Sequence, residues 1–569
     1  MKLTGAQIVC ESLLKEGADV IFGYPGGVLL PLYDTFPQYP ALRHILTRHE
    51  QGAAHAADGF ARVTGKVGVC LATSGPGATN LITGIANAYM DSIPMVAITG
   101  QVTRNLIGKD AFQEIDITGI TLPITKQNYL VTRASALADT IKEAFYLART
   151  GRPGPVLIDI PKDVFIEQAE FEYPDEPDLP GYKPVIKGNL MQIQKAAKLI
   201  ETAEKPVIIA GHGVNISGAN EELKTLAENC QLPVITTLLG VSSFPEDHIL
   251  SYGMLGMHGM AYANMAVAAT DLIVAIGMRF DDRVTGKLSA FAPHASVIHI
   301  DIDPAEIGKN IRVDVPIVGD VKTVLKSLNK QVECVQHSEW LRQLENWRRE
   351  HPPLSIRHTD LILPQYIVQQ ISEATSGNAI VVTGVGQHQM WAAQHYTYIR
   401  PNSLVTSGGL GTMGFDLPAA LGAKVGCPDE TVWCIAGDGG FQMNMQELAT
   451  IVQERAAVKI AVFNNGYLGM VRQWQDLFYN KNYVATPLGC PDFIKIAEAY
   501  DIPALNVKRK EEVRPAIEQA MATEGPFLIN FIIEPEENVY PMVPPGAALH
   551  EVLEEPKKEV SACPRRSIP

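Results

Sequence analysis

Gly437-Asp438-Gly439-Gly440 and Asn464-Asn465-Gly466 carry the most concentrated chemistry in this 569-residue chain. The first run follows a predicted strand, Thr431 to Ala436, and precedes a predicted helix from about Met443 to Gln453; the second follows a predicted strand, Lys459 to Phe463. In a right-handed β-α-β unit the two strands run parallel, so Asp438 and Asn465 emerge at one carboxyl edge of the sheet, where α/β folds bind ligands. A carboxylate and an amide oxygen are hard donors, too few for a closed calcium cage but suited to Mg2+ that also holds phosphate oxygens. Gly437, Gly439 and Gly440 let the backbone come close to a diphosphate. Either run alone reads more simply as a turn; their pairing after adjacent strands favours the ligand site.

A second candidate is Glu50, within Arg48-His49-Glu50-Gln51-Gly52-Ala53-Ala54-His55-Ala56-Ala57-Asp58-Gly59. It falls just after the strand candidate Leu42 to Leu46, at the start of a helix of small residues. Alanine and glycine around a carboxylate strip it of water and let a ligand pack closely. The plainer alternative is an acid stabilised by the first turn of a helix.

These residues need a scaffold, and the hydrophobic pattern supplies three α/β units. In residues 1–168 the strand candidates are Leu42 to Leu46, Val67 to Leu71, Met95 to Thr99 and Val156 to Ile160, alternating with helical patterns, which implies a mostly parallel sheet. Residues 169–188 are rich in proline and acid and read as an exposed linker. The second unit, 190–335, has strand candidates at Pro206 to Ala210, Val234 to Thr237, Leu272 to Ile276 and Val297 to Ile302. A charged helix from Glu339 to Pro353 separates it from the third unit, 362–540, and 541–569 reads as a tail whose polar end, from Glu551, is frayed. The expected fold is therefore three doubly wound parallel-sheet domains.

Composition narrows the functional classes. With 46% apolar and 19% charged residues each unit can bury a core, and a net charge of −15 opposes binding to nucleic acid. The eight cysteines form no C-x-x-C pair and no cluster with histidine, so they read as buried thiols in a reducing compartment. Met1 to Lys15 reads as an amphipathic helix rather than a signal segment, and no apolar run reaches the length of a membrane span. A cytoplasmic protein without membrane partners is expected.

G-D-G followed at this spacing by N-N resembles the binding motif of thiamin-diphosphate enzymes. The resemblance implies Mg2+ held by Asp438, Asn465 and the carbonyl of Tyr467, and Glu50 as the carboxylate that activates the cofactor through its aminopyrimidine ring. Val385-Gly386-Gln387-His388 resembles the diphosphate-contacting turn. In Gly409-Leu410-Gly411-Thr412-Met413-Gly414, Gly411 would lie at the cofactor and Met413 would wedge it into its bent shape, although methionine is more commonly a core residue. Met470 belongs to the same implied set. One departure stands out: Asp416 occupies a position where the family usually has glycine. The three units correspond to pyrimidine-binding, central FAD-binding and diphosphate-binding domains.

Within that family, Gly277-Met278-Arg279-Phe280-Asp281-Asp282-Arg283-Val284-Thr285-Gly286 closely resembles a segment of the FAD-containing, biosynthetic acetolactate synthases. A surface Asp/Arg network is the bland alternative, and worth little. The resemblance implies FAD contacts from Arg152, Gly211, Gly213, Thr237, Leu238, Met257, His258, Gly277, Arg279, Asp281, Asp301, Ile302 and Asp320. It places Arg283 near a substrate carboxylate, where a guanidinium can grip in two-point fashion. Gly108 to Glu114 resembles the segment lining the active-site entrance, with Phe112 and Gln113, and Gly27 and Lys126 join the implied catalytic set. Leu468 to Trp474 resembles a family run in which the tryptophan packs on the incoming acceptor; an indole in a helix otherwise just anchors packing.

The activity this implies is decarboxylation of pyruvate and transfer of the two-carbon unit to a second 2-oxo acid, pyruvate or 2-oxobutanoate. In the family, Glu50 and the diphosphate site come from different subunits, so a homodimer or homotetramer is expected, with a possible small regulatory subunit. The rivals are a pyruvate-oxidase-like flavoenzyme and an inactive scaffold or sensor.

Overall fold

The computed structural model describes residues 1–333, 335–352 and 356–555. Three six-stranded sheets follow one another along the chain, each parallel throughout. Central strands of the first two sheets are buried at every position, as in Met95–Gln101, Pro155–Pro161 and Leu272–Ile276, and those of the third are buried up to their last residue. Such strands read as unbroken apolar runs because helices cover both faces of a parallel sheet. A short antiparallel pair, Lys2–Thr4 with Gln168–Glu170, closes the first unit.

Counted within each unit, the first and third sheets share the strand order 2-1-3-4-6-5, and the middle sheet is ordered 3-2-1-4-5-6. Each order reverses beside its first strand, leaving a crevice at the carboxyl ends where chain connections diverge. In the first sheet the crevice lies between Val20–Gly23 and Gly68–Ala72, and in the third between Ile380–Thr383 and Val432–Gly437. In the middle sheet it lies between Pro206–Ala210 and Leu272–Ile276.

The segment expected to be one helix from Met443 to Gln453 is two, Asp438–Asn444 and Leu448–Gln453, joined by a tight turn at Met445–Glu447. Glu447 accounts for the break. Its carboxylate leaves the helix to accept the N–H groups of Arg48 and His49 at 3.0 and 3.1 Å and the hydroxyl of Thr450 at 2.7 Å. It thereby fixes the entry to the helix Glu50–Thr64.

Two connecting segments are more firmly held than their composition suggests. Residues 169–188 lay Phe171, Tyr173, Leu179 and Tyr182 against the first core, and the Tyr182 hydroxyl donates to Thr150 O at 2.7 Å. The segment after 540 folds back over the middle unit: Val543 N–H donates to Met257 O at 2.7 Å, Lys287 N–H donates to Ala547 O at 3.0 Å, and Met542 pairs with Leu553. The expected fray from Glu551 is therefore incorrect as far as Glu555; residues 556–569 lie outside the described residues. The charged helix spans Ser338–Glu350 and docks through Trp340, whose indole N–H donates to Pro206 O at 3.0 Å. Pro353, its expected end, lies outside the described residues.

First and third units are joined by the helices Glu50–Thr64 and Asp416–Gly426, which cross almost backbone to backbone. A Cβ built on Gly422 would lie 1.9 Å from Ala56 O, and one on Gly59 would lie 2.2 Å from Ala419 O. Only glycine fits such a crossing. Asp91 adds a polar tie, accepting from Arg62 at 2.8 Å and from the N–H groups of Gly408 and Gly409 at 2.9 and 2.6 Å.

Candidate active site

At the crevice of the third sheet the strand Val432–Gly437 hands Asp438 to the edge, and the strand Val458–Asn464 brings up Asn465. Asp438 accepts the N–H groups of Gly439 through Oδ1 and of Gly466 through Oδ2, both at 2.7 Å, and Asn465 Oδ1 accepts Tyr467 N–H at 3.0 Å. The strong bond from Asp438 to the residue after Asn465 locks the two donors side by side. Burial raises the Asp438 carboxyl pKa, and the surrounding N–H groups and the Cys490 thiol oppose that shift. A divalent cation would hold the group ionised.

These residues line a pocket of about 70 Å³ together with Val385, Gly386, Gln387, His388, Met413, Gly439, Gly440, Tyr467 and Met470. Gly411, in the neighbouring loop at φ 71°, stands outside that lining and approaches Val385. The pocket suits a diphosphate: a Cβ on Gly437 would reach within 3.0 Å of His388 Nδ1, and one on Gly439 within 2.9 Å of Leu468. Among the described residues no three His, Cys, Asp or Glu converge. The donors at hand are a carboxylate, an amide oxygen and backbone carbonyls, which fits Mg2+ sharing its shell with phosphate rather than a nitrogen- or sulfur-rich metal site.

The first sheet assembles a separate group of residues at its own crevice. Glu50 opens the helix Glu50–Thr64, is 8% exposed, and accepts Asn80 Nδ2 at 2.9 Å. The turn after Gly68–Ala72 packs on it, since a Cβ on Gly77 would come within 3.1 Å of Glu50 Oε1. That same turn touches Gln113, whose Cα lies 2.9 Å from a Cβ built on Gly75, and Gly26, beside Gly27, abuts Thr73. Gly27, Glu50 and Gln113 are thus gathered along one edge. Phe112 is 88% exposed there, and the loop around it is closed by Glu114, whose carboxylate takes the N–H groups of Ala111 and Gly108.

Lys126 does not join this group. Its ammonium is spent on the carbonyls of Leu147 and Thr150 at the end of the helix Leu137–Arg149 and on the Tyr182 hydroxyl, and burial lowers its pKa to about 8. Trp474 sits half-buried on the helix Gly469–Phe478, edge-on to Phe478 at 5.6 Å. Met470, one turn earlier, lines the pocket beside Asp438. All residues lining that pocket fall between Val385 and Ile533, so Glu50 is absent from the lining in its own chain.

The middle crevice opens into a cavity of about 630 Å³, the size of a cofactor site. Arg152, Gly213, Thr237, Leu238, Gly277, Arg279, Asp281, Asp301, Ile302 and Asp320 all line it, as does Arg283. Gly211, Met257 and His258 do not: Gly211 is pressed against Gly277 O, Met257 supports the Arg283 turn through its N–H, and His258 O accepts from Gln394. Arg152 is held by Glu306 at 2.7 Å and Asp303 at 3.2 Å, and burial raises the Asp301 pKa to about 6. Walls that sequence reading missed come from Asp91, Ser92, Tyr182, His212, Gly408 and Gly409. His212, between two of the glycines already singled out, was the accessible signal among them.

Comparison with known proteins fits this geometry. Three family models match in succession: the N-terminal TPP binding domain of thiamine pyrophosphate enzymes over residues 3–120, the central domain over 193–328, and the C-terminal TPP binding domain over 384–531. The chain is 52% identical to an acetolactate synthase of Mycobacterium bovis, with 97% of this chain and 91% of the relative covered. The chain belongs to the acetolactate synthase large-subunit family. Other members of that family include the acetolactate synthase large subunit of Corynebacterium glutamicum, 50% identical with 97% and 90% covered. A probable acetolactate synthase large subunit of Methanocaldococcus jannaschii is 50% identical, with 97% and 95% covered. The three family models align with the three sheets, so family membership and topology agree on a TPP binding domain at each end of the chain and a central domain between them.

Proposed function

We propose that this chain is a catalytic subunit that converts two molecules of pyruvate into 2-acetolactate and CO2, and couples pyruvate with 2-oxobutanoate into 2-aceto-2-hydroxybutanoate. Thiamin diphosphate, when bound, supplies the carbon that stores the electron pair left by departing CO2. Asp438, Asn465 and the Tyr467 carbonyl would hold Mg2+ and, with the glycines at 437, 439 and 440, the diphosphate. Glu50 of a second copy would hydrogen-bond the pyrimidine ring and hold its proton there. Gln113, on the same copy as that Glu50, and Arg283 would orient the acceptor carbonyl and keep solvent protons away from the reacting carbon. The acceptor oxygen leaves protonated, and no electron is gained or lost overall. FAD in the central cavity therefore has no net redox task, and Trp474 selects between methyl and ethyl acceptors.

The observation carrying this reading is the lock of Asp438 onto the Asn465 turn inside a glycine-lined pocket too small for a whole cofactor. Ligand pockets of ordinary size run to roughly 300 Å³ or more. A pocket of about 70 Å³ accommodates one end of such a ligand, which supports an active unit of at least a dimer in which a partner copy receives the other end. Purified protein with Mg2+, thiamin diphosphate, FAD and pyruvate should yield acetolactate. Acetate with stoichiometric flavin reduction would replace this reading with a pyruvate-oxidase-like one, and no turnover at all would refute both.

A further inference from the structure

Behind the diphosphate pocket lie two enclosed polar atoms for which the described residues offer no hydrogen-bond partner: Oδ2 of Asp416 and Nε2 of His388. Asp416 is 0% exposed at the first turn of the helix Asp416–Gly426, and its Oδ1 faces the Leu417 N–H at 2.9 Å. His388 is 6% exposed on the helix Gln387–His395. Oδ2 and Nε2 face each other at 4.0 Å, about 1 Å beyond hydrogen-bond reach.

Neither atom has a hydrogen-bond partner among the described residues, and the space between them is open. A Cβ built on Gly384 would stand 2.5 Å from Asp416 Oδ2 and 3.5 Å from His388 Nε2, so the absent side chain of Gly384 is what makes room for the carboxyl. On the opposite side of the ring, Nδ1 points at Gly437, where a built Cβ would lie 3.0 Å away, at the mouth of the diphosphate pocket. Gly440, on the same rim, is 3.3 Å from Asp416 Oδ2 by the same measure. The imidazole thus bridges a buried carboxyl and the phosphate-facing edge of the site.

We propose that Asp416 is a positioning residue for the diphosphate: it engages Nε2 of His388 and fixes the imidazole with Nδ1–H turned out toward phosphate oxygens at Gly437 to Gly440. The proposal rests on the reading of this pocket as the diphosphate site. Its logic is that of tautomers. An imidazole whose Nε2 accepts from a neutral carboxyl carries its proton on Nδ1 and donates to an anion, whereas one whose Nε2 donates turns a lone pair toward the phosphate. Burial favours the first arrangement, pushing Asp416 up to about 7 and His388 down to about 4. A small turn of the ring closes the remaining gap when the ligand seats.

The test uses the full chain with Mg2+ and thiamin diphosphate. Imidazole 15N resonances of the loaded protein, with His388 assigned as the signal missing in His388→Asn, should report the Nδ1–H tautomer. Calorimetry should show the affinity for thiamin diphosphate weakened about tenfold in Asp416→Ala, the worth of one buried hydrogen bond. Asp416→Asn, whose amide N–H can serve Nε2, should stay near native. Native-like affinity in Asp416→Ala, or an Nε2–H tautomer in the native protein, overturns the proposal; should Asp416→Ala fail to fold, the tautomer and Asp416→Asn decide. Failure of the native chain to bind thiamin diphosphate would instead overturn the reading of the pocket.

Discussion

At the scale of single residues the proposed chemistry rests on a few carboxyls, Asp438 and Glu50 foremost, beside glycine-bearing turns. Glu50 accepts from Asn80 through one oxygen and leaves Oε1 beside Gly77. Glu50→Gln should therefore keep the fold and thiamin diphosphate affinity while slowing hydrogen–deuterium exchange at the cofactor's reactive carbon by roughly 100-fold or more, the scale of general acid–base assistance. Proton NMR after acid quench reads that rate, and an unchanged value would remove Glu50 from its role. Asp438 and Asn465 were legible in the sequence because each donor sits inside its own turn, one residue from a glycine, directly after a strand. The bonds of Lys126 to the carbonyls of Leu147 and Thr150 were not legible, because no local pattern announces them. The partnerless pair of Asp416 and His388 was equally hidden: Asp416 was visible only as a departure, and its neighbour stands on another helix.

Secondary-structure elements decide how close these residues can come. The crossing of Glu50–Thr64 with Asp416–Gly426 depends on Gly59 and Gly422, each facing a backbone carbonyl of the other helix. Alanine favours a helix by about 1 kcal/mol over glycine, but forcing a methyl group into a packed contact costs about 1–3 kcal/mol. A methyl 1.9 Å from the Ala56 oxygen belongs at the upper end, so Gly422→Ala should lower unfolding stability by about 2 kcal/mol net. Urea titration would show it, and a stabilised variant would mean that the helices separate at little cost. Strands were the most legible elements: Pro206–Ala210 and Leu272–Ile276 match their apolar runs because both faces of a parallel sheet are covered. The break at Met445–Glu447 was not legible, since Glu447 leaves its helix for N–H groups of residues 399 and 398 positions away.

For the whole molecule the three sheets act as a frame for the two proposed half-sites and for one cavity walled by all three units. A mixture of Glu50→Gln and Asp438→Asn chains, each inactive alone, should regain about a quarter of native activity after subunit exchange, because randomly paired dimers then contain some intact sites. No recovery would place both half-sites in one chain. Stability should also fall in acid. Burial lowers His44, His258, His388 and His395 to about 4, His212 to about 4 and His55 to about 3. A depressed histidine contributes stability that is full above the unfolded value near 6.5 and is lost as pH falls toward the folded one. Asp159 and Asp416, raised to about 7, Glu246, raised to about 8, and Asp301, raised to about 6, work oppositely, losing their contribution as pH rises from about 4 toward those values, but the six histidines outnumber these four carboxyls. The melting temperature should drop between pH 7 and 5, most simply followed by circular dichroism, and His55→Gln should flatten the curve.

The order of the three units could be read along the chain, whereas the grip of residues 169–188 and 541–555 could not, because each works through contacts with distant strands. The central cavity shows what that grip entails. Its walls include Asp91 and Arg152 from the first unit, Tyr182 from the connecting segment, Asp301 and Asp320 from the second, and Gly408 from the third. Whatever fills it is a thermodynamic rivet through the entire chain: at a hundredfold excess over its dissociation constant it adds about 2.7 kcal/mol against unfolding. That increment is shared, so the three units should melt as one when the cavity is full and come apart in sequence when it is empty.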